Sequence, residues 1–222
     1  MSEPAIYLVS TSPRRRQILR LLGIKFRSLH PDFLEPKIKT SNAPKKFAIT
    51  CALFKALSSL RRHNINSGLV IGMDTIVVQK NRILGKPANL SEARKILKIL
   101  SGKMHYVITG VAIIKLPQKR IITGAESTQV KFRPLSLSEI NRYIHTSEPF
   151  DKAGAYAIQG RAAVFIEKIN GCYLNVIGLP VPLLFKLLKQ IEPKAKLYGD
   201  VSRISTRKLL AAAKLRPLSR TR

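Results

Sequence analysis

The sequence predicts one mixed α/β domain carrying a basic extension. Three observations point there. Apolar, β-branched runs suited to strands are interleaved with capped amphipathic segments suited to helices. Their order lacks strict βαβ alternation, so parallel and antiparallel strands should share one sheet. With 222 residues, 45% of them apolar, the chain can bury a substantial single core, which excludes disorder throughout.

Residues 6–10 (Ile-Tyr-Leu-Val-Ser) read as a buried first strand. Ser12 and Pro13 are an N-cap and first-turn proline, Ile18, Leu21 and Leu22 form one helical face, and Gly23 ends it. Residues 25–30 predict a second strand, followed by a polar loop with Asp32 and Glu35. Pro44 opens a helix whose Phe47, Ala48, Cys51, Phe54 and Leu57 should face inward. Residues 69–79 predict a central strand, and Lys80-Asn81-Arg82 a hairpin into Ile83-Leu84. Ser91 should cap a helix through Leu100, ended by Gly102. Residues 104–115 and 121–132 predict a long strand pair joined near Pro117. Ser136 and Glu139 form a capping box for a helix to Ile144. A glycine-containing segment, 151–160, leads to predicted strands at 162–168 and 173–178, the latter after the Asn170-Gly171 turn. Pro180 starts a last helix to Ile191. The expected domain is residues 1–193, with 194–222 a basic extension whose residues 204–215 could form an amphipathic helix.

Forty Lys and Arg against 12 Asp and Glu give a net charge of +28. The extension carries +8 of this and the domain +20, so basicity belongs to the whole chain. Such a field attracts polyanions, including nucleic acid, anionic surfaces and nucleotides. No apolar run reaches the length of a membrane span, and no signal peptide is apparent. Two cysteines, Cys51 and Cys172, without framework or metal spacing suggest a reducing cytoplasm. Four scattered histidines disfavour zinc, so any metal should be oxygen-ligated Mg²⁺ or Mn²⁺.

Four segments could carry chemistry. Ser10-Thr11-Ser12-Pro13-Arg14-Arg15 joins a strand end to a helix start, where backbone N–H groups and guanidiniums suit phosphate; an ordinary capped helix reads equally well. Asp74-Thr75 interrupts an apolar strand. A carboxylate there is costly unless paired or metal-bound, which marks a site candidate against a structural aspartate. Lys86 in Gly85-Lys86-Pro87 could reach a phosphate near Asp74, or be a plain turn lysine. Glu148 to Gly160 offers Lys152, Gln159 and small residues that allow close ligand approach, or is a surface loop.

Taken together and in order, these segments resemble the Maf family of nucleoside triphosphate pyrophosphatases over about residues 5–190. The resemblance rests on Ser10 to Arg15, Glu35, Lys55-Ala56, Gly72-Met73-Asp74-Thr75, Gly85-Lys86-Pro87, Ser101-Gly102 with His105, Thr109-Gly110, Glu148 to Gly160, and Gly178-Leu179-Pro180. It implies a two-lobed, mixed-sheet architecture like that of inosine triphosphate pyrophosphatases, with a central cleft and usually a dimer. It also implies attack of water on the α-phosphorus of a nucleotide, with a divalent cation. Members favouring dTTP and UTP look like this chain at Arg14, Thr75 and Gln159; members favouring 7-methyl-GTP or CTP typically carry Trp, Gln and Glu there. Departures are Leu34-Glu35, where the family often has two acids, and Met73 and Cys172, where smaller or hydroxyl residues are usual.

On this resemblance Asp74 is the expected proton acceptor and Glu35 the second carboxylate at the metal. Ser10, Ser12, Arg15, Lys55, Lys86 and Lys152 should hold the triphosphate, and Arg14, Thr75 and Gln159 should read the pyrimidine. The rival reading is a basic nucleic-acid- or partner-binding protein, since the family has also been linked to arrest of septum formation. No helix-turn-helix, RNA-recognition or zinc-finger pattern supports it.

Overall fold

The apolar run that interrupts itself with Asp74 becomes the centre of the sheet. In a computed structural model, which describes residues 4–33, 36 and 40–194, strand β3 (Gly68–Gln79) is flanked on one edge for nearly its whole length by β5 (Met104–Leu116). Strand β5 pairs antiparallel with β6 (Arg120–Phe132), and β6 with β7 (Ile166–Asn170). On its other edge β3 meets two short partners. Strand β1 (Ile6–Val9) runs parallel to Leu69–Gly72, with β2 (Arg27–Leu29) beyond it, and β4 (Arg82–Leu84) runs antiparallel to Val77–Gln79. Parallel and antiparallel pairs thus share one seven-stranded sheet in the order β2-β1-β3-β5-β6-β7.

Side chains alternate across a strand, and each face of this sheet is covered separately. Helix α2 (Pro44–His63) covers one face, packing Ala56 on Val70 and Ile114, and Ala48 on Ile76, Val78 and Ile108. The opposite face carries two cores. Helices α1 (Pro13–Leu21) and α6 (Val181–Ile191) close one over Ile71, Met73, Val111 and Ile113. Helices α3 (Leu90–Leu100) and α4 (Leu137–Ile144) close the other over Val77, Val107 and Val130. The two cores part at Thr75 and Thr109, a cross-strand polar pair.

Ser12 and Ser136 cap α1 and α4 as predicted, the latter with the full Glu139 capping box. Four expectations are corrected. Phe54 is 50% exposed and stacks on Phe33 instead of entering the core. The cap of α3 is Asn89, which accepts from Glu92 N, so Ser91 lies inside the helix. The segment predicted as a strand at 162–168 begins as a 3-10 helix (Arg161–Phe165), because a carboxylate takes the amides of Arg161 and Ala162 that a ladder would use. Residues 173–178 form helix α5 (Tyr173–Ile177) instead of a strand: buried Asn175 donates to Val107 O and Thr128 Oγ1, and Gly178 ends the turn. The basic extension and its proposed helix at 204–215 lie outside the described residues.

Candidate active site

The register of β3 leaves a notch. Pairing with β1 stops at Gly72 and pairing with β4 starts at Val77. Among the described residues no strand covers Met73–Ile76 on that edge. Asp74 and Thr75 sit in the notch, pointing to opposite faces.

Asp74 faces α2. Gly72 lies two residues before it on the same face, and Gly110 is its partner across β5. A Cβ at Gly72 would lie 2.1 Å from Ala52 O, and one at Gly110 would lie 2.2 Å from Ala48 O. These two glycines let the backbone of α2 rest on the sheet. That approach brings Lys55 Nζ to 2.5 Å from Asp74 Oδ1, with both residues buried. A buried carboxylate needs such a partner.

Thr75 faces the other side. Its hydroxyl lies 2.9 Å from Thr109 Oγ1 and accepts from Arg15 Nη2 at 2.8 Å. Arg15, 8% exposed, also donates Nε to Gly178 O (2.8 Å) and Nη1 to Met73 O (2.9 Å), a carbonyl of the notch. Its guanidinium therefore ties α1, β3 and the end of α5 together. Ser10, at the end of β1, accepts from Ser12 N (3.1 Å) and from Arg15 Nη1 (3.4 Å), which folds the Ser10–Ser12 turn beside the notch.

Lys152 feels the charges of two other cations, Arg14 and Lys86. Burial pushes the Arg14 guanidinium below its ordinary value, and the Glu148 carboxylate pulls it back up. Burial, followed by the charge of Arg14, pushes the Lys152 ammonium down to about 8; Glu148 opposes that and Lys86 adds to it. Lys152 also meets the Asp151 carboxylate. Gly154 N donates to Gly85 O (3.1 Å), tying the loop that carries Lys152 to the one that carries Lys86. Lys86 and Gln159 are exposed.

The structure thus brings together Ser10, Ser12, Arg15, Asp74, Thr75 and Lys55 around the notch, and groups Arg14 and Lys86 electrostatically around Lys152. Glu35 lies outside the described residues. Two participants escaped the reading of the site from sequence. Thr109 would have been found by pairing Thr109-Gly110 with Asp74-Thr75. The carboxylate of Glu148 gave no signal beyond its place in the motif.

Among the described residues no group of three or more His, Cys, Asp and Glu could hold a metal alone. Mg²⁺ is ordinarily held by one or two carboxylates together with substrate phosphates, and a single buried Asp beside an open edge fits that hard-donor pattern. No described helix is long and apolar enough to cross a membrane.

Residues 5–191 match the family described as Maf-like protein. The chain is 49% identical over 180 residues to a dTTP/UTP pyrophosphatase of Alkaliphilus oremlandii, covering 81% of this chain and 91% of that one. It is 44% identical over 185 residues to one of Carboxydothermus hydrogenoformans (83% and 97%) and 42% identical over 187 residues to one of Bacillus cereus (84% and 95%).

Proposed function

The chain belongs to the Maf family, and on that premise we propose that it hydrolyses dTTP and UTP to the nucleoside monophosphate and pyrophosphate. The observation that carries this reading is a buried carboxylate, Asp74, held by Lys55 on a stretch of β3 that no described strand covers on one edge, together with the grouping of the cations Arg14, Lys86 and Lys152. A polyanionic substrate with a pyrophosphate leaving group needs that balance of charge.

In this reading Asp74 orients the attacking water and accepts its proton. Lys55 fixes the Asp74 carboxylate and, with Lys86 and Lys152, compensates the triphosphate. The Ser10–Ser12 turn offers hydroxyls and amides at the start of α1, where the helix dipole favours an anion. Arg15 holds Thr75 in place by the 2.8 Å bond to its hydroxyl and adds positive charge behind the phosphates. Arg14, Thr75 and Gln159 read the pyrimidine. Asp74 and Glu35 are the carboxylates that would hold a divalent cation. When bound, that ion would supply charge neutralisation at the phosphate oxygens.

The test is Asp74→Asn. The amide preserves the volume and removes the proton acceptor. Nucleotide binding, followed by calorimetry with dTTP, should persist while pyrophosphate release with Mg²⁺ falls at least about 1,000-fold, the scale on which a general base and its electrostatic support act. Release at the wild-type rate would overturn the assignment.

A further inference from the structure

Glu148 is an acid the mechanism leaves without a task, and its surroundings are specific. It follows α4, at the start of a 3-10 helix (Glu148–Asp151). Its carboxylate reaches over a turn more than ten residues further on. Oε2 accepts from Arg161 N at 2.7 Å, and Oε1 accepts from Ala162 N at 3.2 Å and from Tyr143 OH at 3.0 Å. Two consecutive backbone amides at one carboxylate form charge-assisted bonds stronger than neutral ones. The carboxylate also occupies the space a side chain would need at Gly160: a Cβ there would lie 2.3 Å from Oε2. A side chain at position 160 would therefore have to displace the Glu148 carboxylate.

The residue preceding that glycine is Gln159, which is exposed. Its backbone is set by the anchored Gly160-Arg161-Ala162 turn, while its side chain is free to face a ligand. The Glu148 charge also acts on Arg14, in the first turn of α1, and on Lys152, in the loop after α4. One carboxylate thus joins the loop that carries Gln159 to the helix start that carries Arg14.

We propose that Glu148 is a positioning residue for base selection: through Gly160 and the amides of Arg161 and Ala162 it sets Gln159 relative to Arg14. This rests on the pyrophosphatase reading above. In this role Glu148 acts on the nucleotide only through those neighbours.

The experiment compares kcat/KM for dTTP and GTP, by pyrophosphate release with Mg²⁺, in the wild type, Glu148→Gln, Gln159→Ala and the double variant. Gln keeps the shape of Glu148 but removes the charge and can offer only one oxygen to the two amides. The dTTP-over-GTP preference should narrow at least about tenfold in Glu148→Gln, mainly through KM for dTTP. In a Gln159→Ala background the same change should narrow it by less than about twofold, because a residue acting through Gln159 has nothing left to position. A purely structural role would lower both substrates alike and add independently to Gln159→Ala. Gly160→Ala, which pushes the carboxylate off the turn, should reproduce the narrowed preference. An unchanged dTTP-over-GTP ratio in both Glu148→Gln and Gly160→Ala, or an additive double variant, overturns the proposal while leaving the pyrophosphatase reading intact. A wild-type protein that releases no pyrophosphate from dTTP overturns both.

Discussion

Replacing Gly110 by alanine adds one methyl group directly beneath α2, and the consequence can be worked from the geometry. The new Cβ would lie 2.2 Å from Ala48 O, 2.3 Å from Ala48 C and 2.5 Å from Ile49 N, all of them helix backbone. Rotation of a side chain cannot relieve such contacts. Ordinary contact begins at 3.4 Å, so α2 must retreat by about 1.2 Å or tilt. Overpacking of this kind costs about 1–3 kcal/mol. In a chain of this size that lowers the melting midpoint by roughly 2–12 °C. The retreat also draws Lys55 away from Asp74, whose partners now touch at 2.5 Å. A misplacement of about 1 Å at a catalytic constellation can cost about 100-fold in rate. Thermal unfolding and dTTP hydrolysis of Gly110→Ala measure the two effects separately. The expected result is a folded protein with a lowered midpoint and a kcat reduced well beyond the change in KM. A variant that melts within 1 °C of the wild type, with kcat within about twofold, would refute the claim that the Gly110 contact sets the catalytic pair.

Three further outcomes follow from the charges. Lys152, pushed down to about 8 chiefly by burial, is a cation below that pH and loses its charge above it; kcat/KM for dTTP should therefore decline as pH rises through 8, and the decline should move to higher pH in Lys152→Arg, whose guanidinium stays charged. His105 is fully buried among Phe132 and Tyr156, and burial pushes its imidazole down to about 4. The unfolded chain then binds the proton first on acidification, so this contribution to stability is complete above about pH 6.5 and lost as pH falls toward 4, in total about 3 kcal/mol. Urea unfolding at pH 7 and 4.5 should show a smaller acid loss in His105→Gln than in the wild type. Chelation with EDTA should abolish dTTP hydrolysis, and Mg²⁺ or Mn²⁺ in excess should restore it, as read directly by chromatographic separation of dTMP from dTTP.

How much of the site was legible depended on the range of the forces involved. Ser12 and Ser136 were found as caps because a capping bond spans three residues. Asp74 stood out because a carboxylate inside an apolar run conflicts with the strand around it. The Tyr173–Ile177 helix was missed for the opposite reason. Its local sequence suits a strand, and the bonds from Asn175 to Val107 and Thr128 that decide the matter come from residues 68 and 47 positions away. The same holds for the 3-10 helix at Arg161–Phe165, whose first amides are claimed by Glu148. Phe54 was assigned inward from helical spacing, which cannot tell a core from a local aromatic pair.

By itself the sequence determined the α/β class, the order of most elements, and the residue types at the motifs, because periodicity, capping and turn chemistry act over a few residues. Tertiary structure alone decided that β1 and β4 stop short of each other along β3, leaving Met73–Ile76 without a described strand on that edge. It also decided that Gly72 and Gly110 admit α2 closely enough for Lys55 to meet Asp74. Strand register and helix approach are set by contacts between distant segments, and no local pattern encodes them.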